Sequence, residues 1–269
     1  MSGIMVFRYV LLGVIQGLTE FLPISSSGHL VILHRLLDTA EGDIVFYIIV
    51  HLGSLCAIVL FCWPELKNIL SAILRRTYVK PGPYLKVAKF LIIASIFTAV
   101  IAISFDNFIE RMFSSLWVVG VSLVITGGVL FLTKFKQASC MRQREDLKLT
   151  DGAFIGLAQG LSLVPGLSRS AMTISFCIFR GIEPVLAVRL SFLLAIPAII
   201  GAGLYKIKEI TSVSIDFGYL LIAFISAFVF SLLALRILLV LVSRFKFYHF
   251  AYYCWGLSVL IFFFLIRGA

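Results

Sequence analysis

Apolar residues run through this chain in long, nearly unbroken stretches separated by short polar or basic ones. Stretches over about 44–63, 87–105, 113–133, 185–205, 215–235 and 247–266 each approach the roughly 20 residues that an α-helix needs to cross the hydrocarbon core of a bilayer. Two further apolar segments, 4–36 and 151–180, are interrupted, the first at Pro23 and the second at Pro165-Gly166. Each half reads as too short to span, and each break is crowded with serines. Non-helical backbone at membrane depth persists only where it is buried in protein or lines a cavity, so both segments are expected to be re-entrant. The pattern therefore predicts an all-α polytopic membrane protein with six transmembrane helices plus two re-entrant helix–loop–helix hairpins.

The two interrupted segments resemble each other. Gly13-Val14-Ile15-Gln16-Gly17-Leu18-Thr19 matches Gly156-Leu157-Ala158-Gln159-Gly160-Leu161-Ser162, and after a one-residue offset Pro23-Ile24-Ser25-Ser26 lies over Pro165-Gly166-Leu167-Ser168. The expectation is one membrane domain over 1–269, with repeat halves near 1–133 and 151–269 joined by a basic inner loop at 134–150.

Loop charge sets the orientation. Lys67, Arg75, Arg76, Lys80 and Lys86 lie between one pair of apolar runs, Lys134, Lys136, Arg142, Arg144 and Lys148 between another, and Arg244 and Lys246 in a short turn. By the positive-inside rule these face the cytoplasm. Asp38, Glu41 and Asp43, and Asp106 and Glu110 against Arg111, mark outer loops. With six crossings, hairpin one then enters from outside, hairpin two from inside, and both termini lie outside. Hairpins of opposite entry form an inverted-topology repeat, whose functional site falls where the halves meet.

Composition agrees with a membrane solvent. Of 269 residues, 61% are hydrophobic and only 13% charged, and mean hydropathy is +1.09. The net charge of +10 sits in the short loops, where membrane orientation explains it better than nucleic-acid binding does. Cys56, Cys62, Cys140, Cys177 and Cys254 form no CxxC pair, so buried packing is their expected role. Arg8 precedes an apolar run, but Gln16 and Glu20 interrupt it and no small-residue cleavage site follows, so a signal peptide is not expected.

The chemistry concentrates at the two breaks. Ionisable groups at membrane depth are costly and default to a functional reading. In the first hairpin Gln16 and Glu20 are four residues apart and share a helix face. After Pro23 come Ser25, Ser26, Ser27 and His29: a serine can cap the next half-helix, and a hydroxyl and the imidazole can face one cavity. In the second, Pro165-Gly166 is followed by Ser168, Arg169, Ser170 and Thr173. Arg169 brings a permanent cation with a planar fork suited to phosphate oxygens, and both half-helix N-termini offer free N–H groups to an anion. Two such ends and an arginine around one cavity predict a strongly anionic ligand. The competing readings are plainer. Serines in apolar helices often bond back to the carbonyl four residues earlier, Arg169 and Arg236 can snorkel, and His51, in mid-span, is more often packing than catalysis. His34 and His249 are expected at the interface.

Gln16–His29, QGLTEFLPISSSGH, and Pro165–Thr173, PGLSRSAMT, together resemble the two motif regions of the undecaprenyl-diphosphatase family, the bacitracin-resistance type. Position 16 is Gln where many members carry Glu, which leaves Glu20 as the acid of the motif. The resemblance implies hydrolysis of a C55 polyprenyl diphosphate to the monophosphate and inorganic phosphate, which recycles the carrier lipid of bacterial cell-wall synthesis. It further implies a multi-pass protein of the bacterial inner membrane with its site opening to the periplasmic face, and a divalent cation, Mg²⁺ or Ca²⁺. Glu20, Ser26, His29 and Arg169 are the expected catalytic residues, with Glu20 also the metal ligand. Gln16, Ser25, Ser27, Ser168, Ser170 and Thr173 are the expected substrate-binding set. The nucleophile is left among Ser26, His29 and a metal-bound water. The expected partners are the lipid substrate and membrane lipids, with no nucleic acid; an oligomer is compatible with this reading. A carrier for a phosphorylated lipid is the alternative, because broken helices in inverted repeats are also a transporter architecture.

Overall fold

Helices stop where the chain loses a backbone donor or needs a left-handed residue. The computed structural model describes residues 3–36, 44–74, 81–113, 115–136, 141–210, 216–244 and 246–267. Asp38, Glu41, Asp43, Arg75, Arg76, Lys80, Cys140 and the side chain of His34 lie outside the described residues. The described part is helical throughout: α1 (Gly3–Phe21), α2 (Ser26–Leu36), α3 (Ile44–Phe61), α4 (Trp63–Ile73), α5 (Pro81–Ser104), α6 (Asp106–Phe113), α7 (Leu116–Leu132), α8 (Leu149–Leu161), α9 (Arg169–Phe179), α10 (Pro184–Lys206), α11 (Phe217–Ser243) and α12 (Phe250–Ile266). Among the described residues there is no strand, only one bridge between Arg142 and Ile182.

Both breaks fall as the prolines direct. α1 ends two residues before Pro23, and α8 ends four before Pro165. Gly166 then takes φ +92°, and Ser25 takes φ +68°, the single positive φ among the described non-glycine residues.

Among the described residues seven helices, not six, are long and apolar enough to cross a membrane. The added one is α1. It runs unbroken for 19 residues before the proline, about 28 Å at helical rise, so the first half of this hairpin is not too short to span. The other six candidates coincide with the expected runs, with ends shifted by a few residues or more. Between them, segments expected only as loops carry the short helices α4 and α6. α4 starts at Trp63-Pro64 with Glu65 in its first turn, as suits a proline and an acid at a helix N-terminus.

The close contacts of the bundle follow the repeat. α1 packs along α11, and α8 along α5. At Gly13 a methyl group would meet the Ala223 carbonyl at 2.5 Å, and at Gly156 it would meet the Ala94 carbonyl at 2.5 Å. Small residues that let helix backbones touch are how helices associate in lipid, where the solvent is as apolar as the side chains. Hydroxyls add specific links. Ser231 donates to Ser54 (3.0 Å) between α11 and α3, and Ser258 donates to the Gly120 carbonyl (2.8 Å) between α12 and α7.

Gly13 and Gly156, Gln16 and Gln159, and Ser25 and Ser168 each stand 143 apart, while Pro23 and Pro165 stand 142 apart. At the 143 spacing Ser25 falls opposite Ser168 and Ser26 opposite Arg169. Ser25 Oγ accepts from Gly28 N at 3.3 Å and Ser168 Oγ from Ala171 N at 3.3 Å, each capping the helix that follows.

A charged clasp closes the base of α8 and α9. Asp151, fully buried in the first turn of α8, accepts from both Arg142 terminal nitrogens (3.1 and 2.6 Å) and from Arg180 Nε (2.9 Å). Burial works against this carboxylate, but Arg142, the Lys148 amide and Arg180 outweigh it and hold its pKa below the ordinary value. Arg180 directly follows α9, so the start of α8 and the end of α9 sit side by side. In the other hairpin, Tyr9 and Leu12 of α1 share one apolar cluster with Leu30 and Leu33 of α2.

Candidate active site

The two breaks meet at one carboxylate. Glu20 is the penultimate residue of α1 and 9% exposed. Its Oε1 accepts from Arg169 Nη2 at 2.8 Å. Its Oε2 accepts from Ser26 Oγ at 2.7 Å and from Gln16 Nε2 at 3.0 Å. Charge-assisted bonds of this kind are the strong ones, and a buried carboxylate is tolerable only when so paired. Ser26 and Arg169 are each the first residue of a helix, α2 and α9, so both N-termini arrive at the same point.

Two polar atoms here are buried without a partner. Arg169 Nη1 has no hydrogen-bond acceptor, and Gln16 Oε1 has no donor. Leaving a buried donor or acceptor unmade costs about 1–3 kcal/mol. One is a spare cationic donor and the other a spare oxygen, both beside Glu20. The Arg169 guanidinium also lies over the Phe21 ring, 5.9 Å from its centroid.

Ser26 and His29, expected on one cavity, take separate partners. Ser26 is committed to Glu20. His29 Nδ1 sits 2.7 Å from the Ser25 carbonyl and Nε2 sits 2.7 Å from the Tyr253 hydroxyl. A carbonyl only accepts, so Nδ1 carries a hydrogen. The strain of about 1–3 kcal/mol that a left-handed non-glycine residue carries falls on Ser25, the residue that aims this carbonyl. Ser27 Oγ lies 3.2 Å from Ser25 Oγ and is half-buried.

In the second hairpin the hydroxyls of Ser168, Ser170 and Thr173 are buried and occupied. Ser168 and Ser170 hydroxyls are 3.1 Å apart, and Ser170 donates to the Leu22 carbonyl at 3.1 Å, which staples one break to the other. Thr173 Oγ1 is 2.6 Å from Ser191 Oγ. Thr126 of α7 donates to the Gly166 carbonyl and accepts from Ser168 N. The candidate binding residues Ser168, Ser170 and Thr173 therefore spend their hydroxyls on holding the loop.

Two residues at the site were not singled out as site candidates from the sequence. His51 Nε2 lies 3.7 Å from Glu20 Oε2, with Nδ1 on the Tyr47 carbonyl at 2.8 Å; a mid-span histidine was the available signal. Tyr253 carried none, being one of two adjacent tyrosines in an aromatic-rich helix. Among the described residues no group of three or more His, Cys, Asp or Glu could hold a metal ion.

The family model described as bacitracin resistance protein BacA matches residues 9–260. The chain is 38% identical to the undecaprenyl-diphosphatase of Desulforapulum autotrophicum, over 94% of this chain and 96% of that one. It is 35% identical to that of Alkaliphilus metalliredigens, over 97% and 99%. To that of Methanobrevibacter smithii it is 33% identical, over 96% of each.

Proposed function

We propose, from the premise that this chain belongs to the bacitracin resistance protein BacA family, a mechanism in which the two breaks share the work of one phosphatase. The chain is a multi-pass membrane enzyme that hydrolyses undecaprenyl diphosphate to undecaprenyl phosphate and inorganic phosphate, recycling the lipid carrier for cell-wall synthesis. The observation that carries the mechanism is the Ser26–Glu20–Arg169 chain of hydrogen bonds.

A hydroxyl donating to a carboxylate is a nucleophile with its base in place. Ser26 Oγ attacks the terminal phosphorus and passes its proton to Glu20. The phosphoanhydride bond breaks, and undecaprenyl phosphate leaves. Glu20 releases that proton toward the leaving phosphate oxygen; water then attacks the phosphoserine and gives its proton to the freed Glu20 carboxylate, which returns it to Ser26 Oγ as orthophosphate departs. Phosphoryl transfer needs positioning and charge neutralisation above all. The unpartnered Arg169 Nη1 and the α2 and α9 N-termini are suited to the phosphoryl oxygens. Ser168, Ser170, Thr173 and Ser25 position these helix ends rather than touch phosphate, while Gln16 adjoins Glu20 and Ser27 adjoins the Ser25 cap. His29 Nε2, unprotonated in the neutral ring, is the atom within hairpin one able to take up a proton and pass it to the leaving oxygen.

A Mg²⁺ or Ca²⁺ ion fits in a limited way. Glu20 and the free carbonyl oxygen of Gln16, one helical turn apart, are the oxygen donors on offer. That suits a hard cation that takes its remaining ligands from water and substrate phosphates. When bound it would neutralise diphosphate charge.

We further read both breaks as re-entrant hairpins of an inverted repeat, with halves at 1–133 and 151–269 and a site open to the periplasmic face. The 143-residue spacing of Gly13, Gln16 and Ser25 from their counterparts, the reciprocal α1–α11 and α8–α5 packing and the clasp at the base of α8 and α9 support this. The α1 helix, long enough to span, then enters deeply from outside and returns through α2. Purified protein in detergent is expected to release orthophosphate from undecaprenyl diphosphate. Movement of the lipid with no phosphate release would favour a carrier instead.

A further inference from the structure

We propose that Tyr253 is a positioning residue for His29, holding Nε2 and the plane of its imidazole from the opposite half of the chain. The inference rests on the reading that His29 serves the reaction. His29 has two ring nitrogens, and each meets one partner at 2.7 Å: the Ser25 carbonyl on Nδ1 and the Tyr253 hydroxyl on Nε2. The carbonyl cannot donate, so Nδ1 bears the hydrogen and the neutral ring offers Nε2 as an acceptor to the phenol. Which nitrogen of a histidine is free for proton transfer is set by the bond the other one makes. Here both are set, one by hairpin one itself and one by α12.

The contact is more than a hydrogen bond. The two rings are parallel to within 10° with centroids 5.7 Å apart, so the phenol constrains the plane of the imidazole as well as its Nε2. Tyr253 is 224 residues away in sequence and sits at the α12 surface, 47% exposed. A tyrosine in an apolar helix presents a hydrophobic body and a hydroxyl that seeks a partner, and this one finds His29. Ser25, on the other side, is the one described non-glycine residue held at positive φ, so the backbone carries strain at the residue that completes the clamp. With Nε2 capped by a neutral hydroxyl, the ring stays in one orientation until a phosphoryl oxygen or water displaces the phenol; His29 then has Nε2 for the proton it exchanges with substrate.

Tyr253→Phe removes the hydroxyl and keeps the ring. Phosphate release from undecaprenyl diphosphate by the full-length variant in detergent is expected to show kcat lower by about 10-fold, the scale of one hydrogen bond, with KM within about twofold. In a His29→Ala background the same substitution should cost nothing more, since its effect passes through His29. A second readout does not depend on turnover. With ¹⁵N-histidine, the His29 signal, identified by its loss in His29→Ala, should show an Nε2 that accepts a hydrogen bond in the parent and a free Nε2 in Tyr253→Phe, with Nδ1–H kept in both by the Ser25 carbonyl. An unchanged His29 Nε2 resonance, or parental kcat, in Tyr253→Phe overturns the proposal. If His29→Ala itself turns over like the parent, the reading of His29 as a reacting group fails instead, and this proposal falls with it.

Discussion

Ser26 and Arg169 hold the two oxygens of one carboxylate, Glu20, from two helix N-termini that are counterparts in the repeat. The two breaks present two copies of one device, a capping serine followed by a residue bonded to Glu20. That residue is a hydroxyl in one copy and a permanent cation in the other. Each copy alone would leave polar groups unsatisfied in a membrane, at several kcal/mol per group; together they satisfy Glu20 and leave one cationic donor for an anion.

Arg169 is expected to be the least replaceable residue of the second hairpin. Arg169→Lys keeps the charge but cannot hold Glu20 with one nitrogen while offering another in the same plane. It should lose most activity, and Arg169→Ala more, while both variants retain parental helix content and detergent-solubilised size. Orthophosphate release measures the first, circular dichroism and size exclusion the second.

Glu20 and Gln16 should separate acid from amide. Glu20→Gln removes the base and the carboxylate ligand, so divalent-stimulated hydrolysis should disappear. Gln16→Glu adds a second carboxylate one turn away and should be tolerated, with the cation needed at lower concentration. Titration of activity with Mg²⁺ or Ca²⁺ reads both. Unchanged metal dependence in Glu20→Gln would remove it as a ligand.

The Asp151 clasp predicts an acid-side stability loss. Its folded pKa lies below the unfolded value, so its contribution is full above the ordinary carboxylate pKa and disappears as pH falls through the lower folded one. Asp151→Asn should flatten that part of the stability–pH curve. At neutral pH it should cost about 3 kcal/mol, the low end for removing one partner of a buried pair, because Arg142 and Arg180 remain partly solvated. Thermal unfolding in detergent between about pH 3 and 7 would show it.

Orientation is open to direct labelling. Single cysteines near Arg144 and Arg244 should react only from the cytoplasmic side, and one near Asp106 only from outside. The ties of Asp106 to Tyr205 and of Glu110 to Lys206 put α6 beside the end of α10, as that arrangement requires. Labelling at 144 from outside would invert it.

Much of the site was legible because membrane chemistry makes polar residues conspicuous. Glu20, Ser26 and Arg169 stand out in apolar segments beside proline breaks, and they do converge. What stayed hidden depends on distance along the chain. Tyr253 reaches His29 across 224 residues, and no local pattern separates it from its neighbour Tyr252. The i,i+3 spacing of Ser26 and His29 gives a shared face but not which partners they take: Ser26 donates to Glu20, and the Ser25 carbonyl and Tyr253 hold the ring. The length of α1 was misjudged because a break was measured from its proline and its polar residues, whereas the helix tolerates Gln16 and Glu20 when both are bonded.

The central claim is that Ser26 is the nucleophile, activated by Glu20 and opposed by Arg169. The most direct measurement is to mix the enzyme with undecaprenyl diphosphate bearing ³²P in its terminal phosphate, quench in acid within one turnover, and map the label. The account predicts acid-stable phosphoserine at Ser26 in the parent, none in Ser26→Ala, and turnover in that variant lower by about 10² or more. Single-turnover hydrolysis at full rate with no label on Ser26, or undiminished turnover in Ser26→Ala, would contradict it.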